Sequence, residues 1–199
     1  MDLKTVIFMG RSGCGKGTQA KLLDEEITSR GISNSDILHI VTGDLFRKFT
    51  QSDGPTHARL NEVMSKGEKP PEFLSVAMWG ELLMRDYRPN MHLFIDGTPR
   101  SVPEAYTLEN ALLFYKRTPI DVINIEVSDE WATERLLGRG RHDDKATDSI
   151  KGRLNFYRTD VAPALEYFRT STHITVFDIN GEQSIEKVHA DIKSVLKLI

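Results

Sequence analysis

Thr5-Val6-Ile7-Phe8-Met9-Gly10-Arg11-Ser12-Gly13-Cys14-Gly15-Lys16-Gly17-Thr18 decides the fold. Its first half is a short unbroken apolar run, which suits a strand covered on both faces of a parallel sheet. From Gly10 to Lys16 the chain then fits G-x-x-x-x-G-K. Placed between a strand and a helix, such a loop turns its backbone N–H groups inward and cradles phosphate. Ala20, Leu23 and Ile27 recur at helical spacing and Gly31 supplies the stop, so the required helix follows. The positive end of that helix and the charge of Lys16 both favour an anion. Gly17 stands where a hydroxyl usually follows the lysine, so a direct magnesium ligand is not expected there. Cys14 reads as a small loop residue, since no His–acid arrangement lies near it.

Outward from this loop, short apolar runs at 38–41, 93–95, 120–127 and 173–177 alternate with helical patterns. The spacing predicts helices at about 17–30, 56–66, 72–87, 102–117, 130–137 and 185–198, and a long one from Thr147 that Pro163 kinks. On the helix over 72–87 the pattern places Phe73, Val76, Ala77, Gly80, Leu83 and Tyr87 on one face. Strands alternating with helices indicate an α/β fold with a central parallel sheet flanked by helices. Asp96 ends the third strand at the sheet edge where such folds bind ligands, and is expected to hold hydrated magnesium or to cap the next helix.

Composition bounds the function. The 199 residues are 39% hydrophobic and 28% charged, which excludes a disordered tail, a collagen-like repeat and a membrane bundle. A net charge of -3 makes nucleic acid a poor first partner. One cysteine leaves no intrachain disulfide framework and no all-cysteine zinc site, and no structural zinc is expected. No long apolar signal region opens the chain and no run approaches the roughly 20 apolar residues of a membrane span. A cytoplasmic protein with no membrane partner is expected.

Further motifs narrow the field: Gly15-Lys16-Gly17-Thr18-Gln19, Thr42-Gly43-Asp44-Leu45-Phe46-Arg47, Asp96-Gly97-Thr98-Pro99-Arg100, the pair Arg135 and Arg139, and the block from Arg141-His142-Asp143-Asp144 to Arg153-Leu154. Together, and in this order over nearly the whole chain, they resemble the adenylate kinase family of nucleoside monophosphate kinases. The resemblance implies a P-loop NTPase core at 1–41, 73–137 and 147–199, a helical insert for the monophosphate at 42–72 and a short lid at 138–146. It implies that Gly13, Cys14, Gly15, Lys16, Gly17 and Thr18 cradle the phosphates of ATP, with Arg135, Arg139 and Gln183 also on the ATP side. It places the acceptor against Thr42, Arg47, Glu68, Lys69, Pro70, Gly97, Thr98, Pro99, Arg100, Glu104, Arg141 and Arg153. Lys16, Arg100, Arg139, Arg141 and Arg153 are the groups expected at the transferring phosphoryl. The reaction implied is ATP plus AMP giving two ADP, with magnesium, in a monomer. Kinases for GMP, UMP or CMP, and a P-loop nucleotide switch, are the competing readings.

The arginines make sense without the family. Phosphoryl transfer between nucleotides needs two anionic ends held in line, their charge neutralised and water excluded. Several positions depart from the pattern. Ser12 replaces a usual proline, Thr98 a usual phenylalanine and Glu104 a usual glutamine. An ionised Glu104 offers acceptors only, which suits the adjacent donors of guanine better than the edge of adenine. A water bridge or a proton on Glu104 would restore adenine pairing; alternatively Glu104 turns to an arginine and reads no base.

Overall fold

Five parallel strands form one sheet: β1 (Thr5–Gly10), β2 (Ile37–Val41), β3 (His92–Asp96), β4 (Ile120–Glu126) and β5 (Ile174–Asn180), in the order β2-β3-β1-β4-β5. The structure is a computed structural model and describes residues 2–65, 68–139 and 147–198, with backbone alone at 139 and 147–149. The strand at the middle is β1, and all of its residues are buried. Its alternate side chains enter two separate cores. Val6 and Phe8 pack with Leu23, Ile27 and Ile192, while Ile7 and Met9 pack with Trp79, Leu108 and Phe168. That is why the strand reads as a continuous apolar run rather than an alternating one.

The first core lies under α1 (Lys16–Ser29) and α9 (Ile185–Val195). The second lies under α4 (Glu72–Asp86), α5 (Val102–Phe114) and α8 (Ala162–Thr170). From β1 the chain crosses towards β2, and from β3 it crosses the other way to β4. The loops after β1 and β3 therefore part, and a crevice opens between them at the carboxyl edge of the sheet. Between β2 and β3, α2 (Thr42–Phe49), α3 (Pro55–Ser65) and α4 stand over one side of this crevice. α6 (Asp129–Arg139) and α7 (Thr147–Phe156) follow β4. Among the described residues no helix is long and apolar enough to cross a membrane.

Two local readings are corrected. The buried stripe of α4 is Ser75, Trp79 and Leu83, whereas Phe73 is 68% exposed. A polar residue in the stripe hid its register, because Ser75 is buried by a hydrogen bond rather than by its own hydrophobicity. The long helix from Thr147 is broken as Pro163 requires, but the break takes the form of a π-helical turn at Tyr157–Val161. α8 then restarts with the proline in its first turn, where a missing N–H costs nothing.

Candidate active site

The phosphate loop hangs between β1 and α1. Gly10, Gly13 and Gly15 take φ of 131°, 89° and 101°, conformations that side chains resist. A Cβ at Gly13 would also stand 2.7 Å from the Ala132 carbonyl oxygen, so the loop is pressed against α6. At Gly15 a Cβ would meet nothing within 4 Å, because that side of the loop faces the cleft. Gly15 caps α1 without a side-chain hydrogen bond, leaving the first N–H groups of the helix to an anion. The Lys16 Nζ donates to the carbonyls of Gly10 (2.9 Å) and Arg11 (2.8 Å), which holds the ammonium at the loop. Cys14 is buried, its Sγ 3.6 Å from that ammonium.

The cleft encloses about 2170 Å³ and runs from this loop to the helices after β2. Gly13, Gly15, Lys16, Gly17, Thr18 and Arg135 line one end. Arg47, Glu68, Lys69, Pro70, Gly97, Thr98, Pro99, Arg100 and Arg153 line the other, with Asp96 between. Arg135 lies over the Trp131 ring, 5.0 Å from its centroid. Arg47 donates to Asp44 at the surface of α2. Arg100 Nε donates to the Gly97 carbonyl at 2.6 Å, which folds the turn after β3 back on itself. Desolvation pushes Arg100 below its ordinary value against the pull of Glu104 and Asp96, with Arg153 and Arg47 adding repulsion. A dianionic group placed among these cations would relieve that repulsion. The hydroxyl of Thr42 is buried beside them and has no protein partner.

Lys69 ties this end to the π-helical turn. Its ammonium donates to Glu72 (2.9 Å) and Asp160 (3.0 Å). Burial lowers its pKa, but the hydrogen bonds to the two carboxylates outweigh burial and leave it raised. Arg11 does the same for the phosphate loop, with Nε 2.9 Å from Asp129 and its guanidinium 4.5 Å from the Tyr157 centroid. Neither Arg11, Tyr157 nor Asp160 stood out in the sequence. The signal available was the proline at 163, which marks the turn that presents Tyr157 and Asp160.

Cys14 and Thr42 are buried just behind the lining, and two further positions lie off it. Gln183 folds onto the Asn180 carbonyl and Asp191 and does not line the cleft. Glu104 is buried behind the turn, 1% exposed, and is likewise absent from the lining, so its carboxylate meets protein donors and not an open pocket. Arg141, and the side chain of Arg139, fall outside the described residues.

The comparisons with known proteins agree with this geometry. The family model described as adenylate kinase matches residues 8–173. The chain belongs to the adenylate kinase family. It is 34% identical over 191 residues to adenylate kinase 1 of Nostoc sp. (strain PCC 7120 / SAG 25.82 / UTEX 2576), covering 96% of this chain and 97% of the relative. It is 34% identical to the adenylate kinase of Prochlorococcus marinus (strain MIT 9211), with 98% and 97% covered. With adenylate kinase 1 of Synechocystis sp. (strain ATCC 27184 / PCC 6803 / Kazusa) the identity is 33%, over 98% and 97%. Membership makes the chain a phosphotransferase that binds nucleotides, and makes the sheet with its phosphate loop the family's core.

Magnesium suits the donor set near the loop. A Cβ at Gly17 would stand 3.6 Å from Asp96 Oδ2, so the missing side chain leaves room beside a hard oxygen donor. Among the described residues no group of three or more His, Cys, Asp or Glu is arranged to hold a metal.

Proposed function

We propose that the protein transfers the terminal phosphoryl group of ATP to AMP, giving two ADP. The observation that carries this reading is one cleft with Lys16 in a phosphate loop at one end and Arg47, Arg100 and Arg153 at the other. A nucleotide that bound only the loop would reach one end of this cleft and not the arginines at the other. Two nucleotides use both.

On this reading Gly13 to Thr18 hold the ATP phosphates by backbone N–H groups, and Lys16 exchanges its loop carbonyls for phosphate oxygens. Arg135, Arg139 and the backbone at Gln183 serve the ATP side. Thr42, Arg47, Glu68, Lys69, Pro70 and the turn from Gly97 to Arg100 serve the acceptor. Arg100, Arg139, Arg141 and Arg153 neutralise charge on the group in transit. The insert at 42–72 and the lid at 138–146 are the parts that close, and their closure keeps water from the phosphoryl group. Asp96 would hold magnesium through water; that ion supplies charge neutralisation and orientation for the ATP phosphates. No protein nucleophile is needed, because positioning and electrostatics supply the catalysis.

A coupled assay offering ATP with AMP, GMP, UMP or CMP tests the reading. ADP formation that depends on AMP is expected. Release of inorganic phosphate alone, unaffected by any monophosphate, would show a hydrolytic switch instead.

A further inference from the structure

Glu104 and Thr98, the two departures from the family pattern in the acceptor region, touch each other. The Thr98 hydroxyl donates to Glu104 Oε1, which also accepts from the Ser75 hydroxyl and from Trp79 Nε1 at 3.2 Å. Oε2 accepts from the Arg100 backbone N–H at 2.6 Å. Four donors from two segments thus converge on one carboxylate that is 1% exposed.

The donors are of two kinds. The hydroxyls of Ser75 and Thr98 can rotate and accept instead. The Trp79 indole N–H and the Arg100 amide N–H only donate, and they approach different oxygens. A carboxylate satisfies both. A carboxamide has one oxygen, so it would turn an NH2 group against one of the two N–H donors. Glutamate is therefore required by the donors around it, without reference to any base.

We propose that Glu104 is a positioning residue: it ties the turn Thr98–Arg100 to Trp79 of α4, sets the place of Arg100 towards the acceptor phosphate, and does not read the acceptor base. This rests on the acceptor reading of the arginine cluster given above. Arg100 is held from two sides, through its amide by Glu104 and through Nε by the Gly97 carbonyl. Releasing the first lets the turn carry the guanidinium away from the place where the phosphate arrives. Trp79 links the same carboxylate to the core under α4, so the turn is fixed to the body of the protein.

The test uses the full chain with Glu104→Gln, Trp79→Phe and the double variant, measuring kcat and KM for AMP and GMP at saturating ATP, KM for ATP at saturating AMP, and Tm. Glu104→Gln is expected to raise KM for AMP at least fivefold, to leave KM for ATP within twofold, and to leave the AMP-over-GMP ratio of kcat/KM within twofold. The double variant is expected to recover at least half of that loss on a logarithmic scale. Trp79→Phe removes the donor that conflicts with the carboxamide, so the oxygen returns to Arg100. A tenfold rise in the AMP-over-GMP ratio would overturn the proposal, because it would make Glu104 a base reader. Equal losses for AMP and for ATP that follow Tm, with no recovery in the double variant, would overturn it too by making Glu104 merely structural. Hydrogen exchange of the Arg100 amide in the wild type needs neither a folded variant nor a substrate. Slow exchange is expected, and free exchange would remove the anchor. Wild-type protein that transfers nothing to AMP or GMP would refute the function proposed above, while the amide measurement would still decide the anchor.

Discussion

Lys16 spends its charge inside its own loop. Its two carbonyl acceptors belong to Gly10 and Arg11, and the core side chain it meets is the Cys14 sulfur of the same loop at 3.6 Å. Lys16→Met should therefore abolish transfer with the fold intact, a loss of about 3–5 kcal/mol of transition-state stabilisation. Near-normal kcat with an unchanged circular dichroism spectrum would refute the role of the loop. At this scale the sequence was legible where a residue type has one job. The glycines and the lysine of the loop were read from spacing alone. Glu104 was not, since its surroundings come from α4 and from the turn after β3, and no spacing along the chain reports that Ser75 and Trp79 meet it. Arg11 escaped for the same reason, its partner Asp129 being distant in sequence.

Elements add the constraint of space. Gly13 and Gly15 both need a left-handed backbone, but only Gly13 is also blocked by the Ala132 carbonyl. Gly13→Ala should lower stability by about 1–3 kcal/mol more than Gly15→Ala does, because it adds a backbone clash to the shared strain. Equal melting temperatures would mean that α6 gives way at little cost. Strand and helix order was legible because each strand holds a short apolar run and most breaks carry a glycine or a proline. Boundaries were less so. β5 runs to Asn180 instead of ending at Phe177, because Asp178 inside it is caught by Asn124 and Arg169, which makes a charged residue tolerable in a strand.

Across the molecule, α5 and α8 are joined by a buried acid. Glu109 accepts hydrogen bonds from the Tyr167 hydroxyl (2.7 Å) and from Ser171. Burial and the neighbouring Glu109 carboxylate push the Tyr167 phenol up to about 12. The folded value is raised above that of the unfolded chain. The stabilisation is thus complete below about pH 10 and is lost as pH rises from there towards about 12. With partial exposure allowed for, it amounts to about 1–2 kcal/mol. Tyr167→Phe should lower Tm at neutral pH and flatten the decline of stability above pH 10, as followed by urea midpoints. An unchanged alkaline limb would remove the pair from the account.

The position of β1 has its own kinetic result. A strand hydrogen-bonded on both sides and buried on both faces releases its amides only when the whole sheet opens, so they should exchange with solvent at the rate of global unfolding. Of the helices after β2, α3 buries Leu60 and leaves most of its other residues exposed, so its amides should open far more readily. On the proposed assignment of the cleft, the strand expected to exchange slowest carries the donor loop and the helix expected to exchange faster stands on the acceptor side, so fluctuations that admit and release the smaller nucleotide need not disturb the strand that carries the loop.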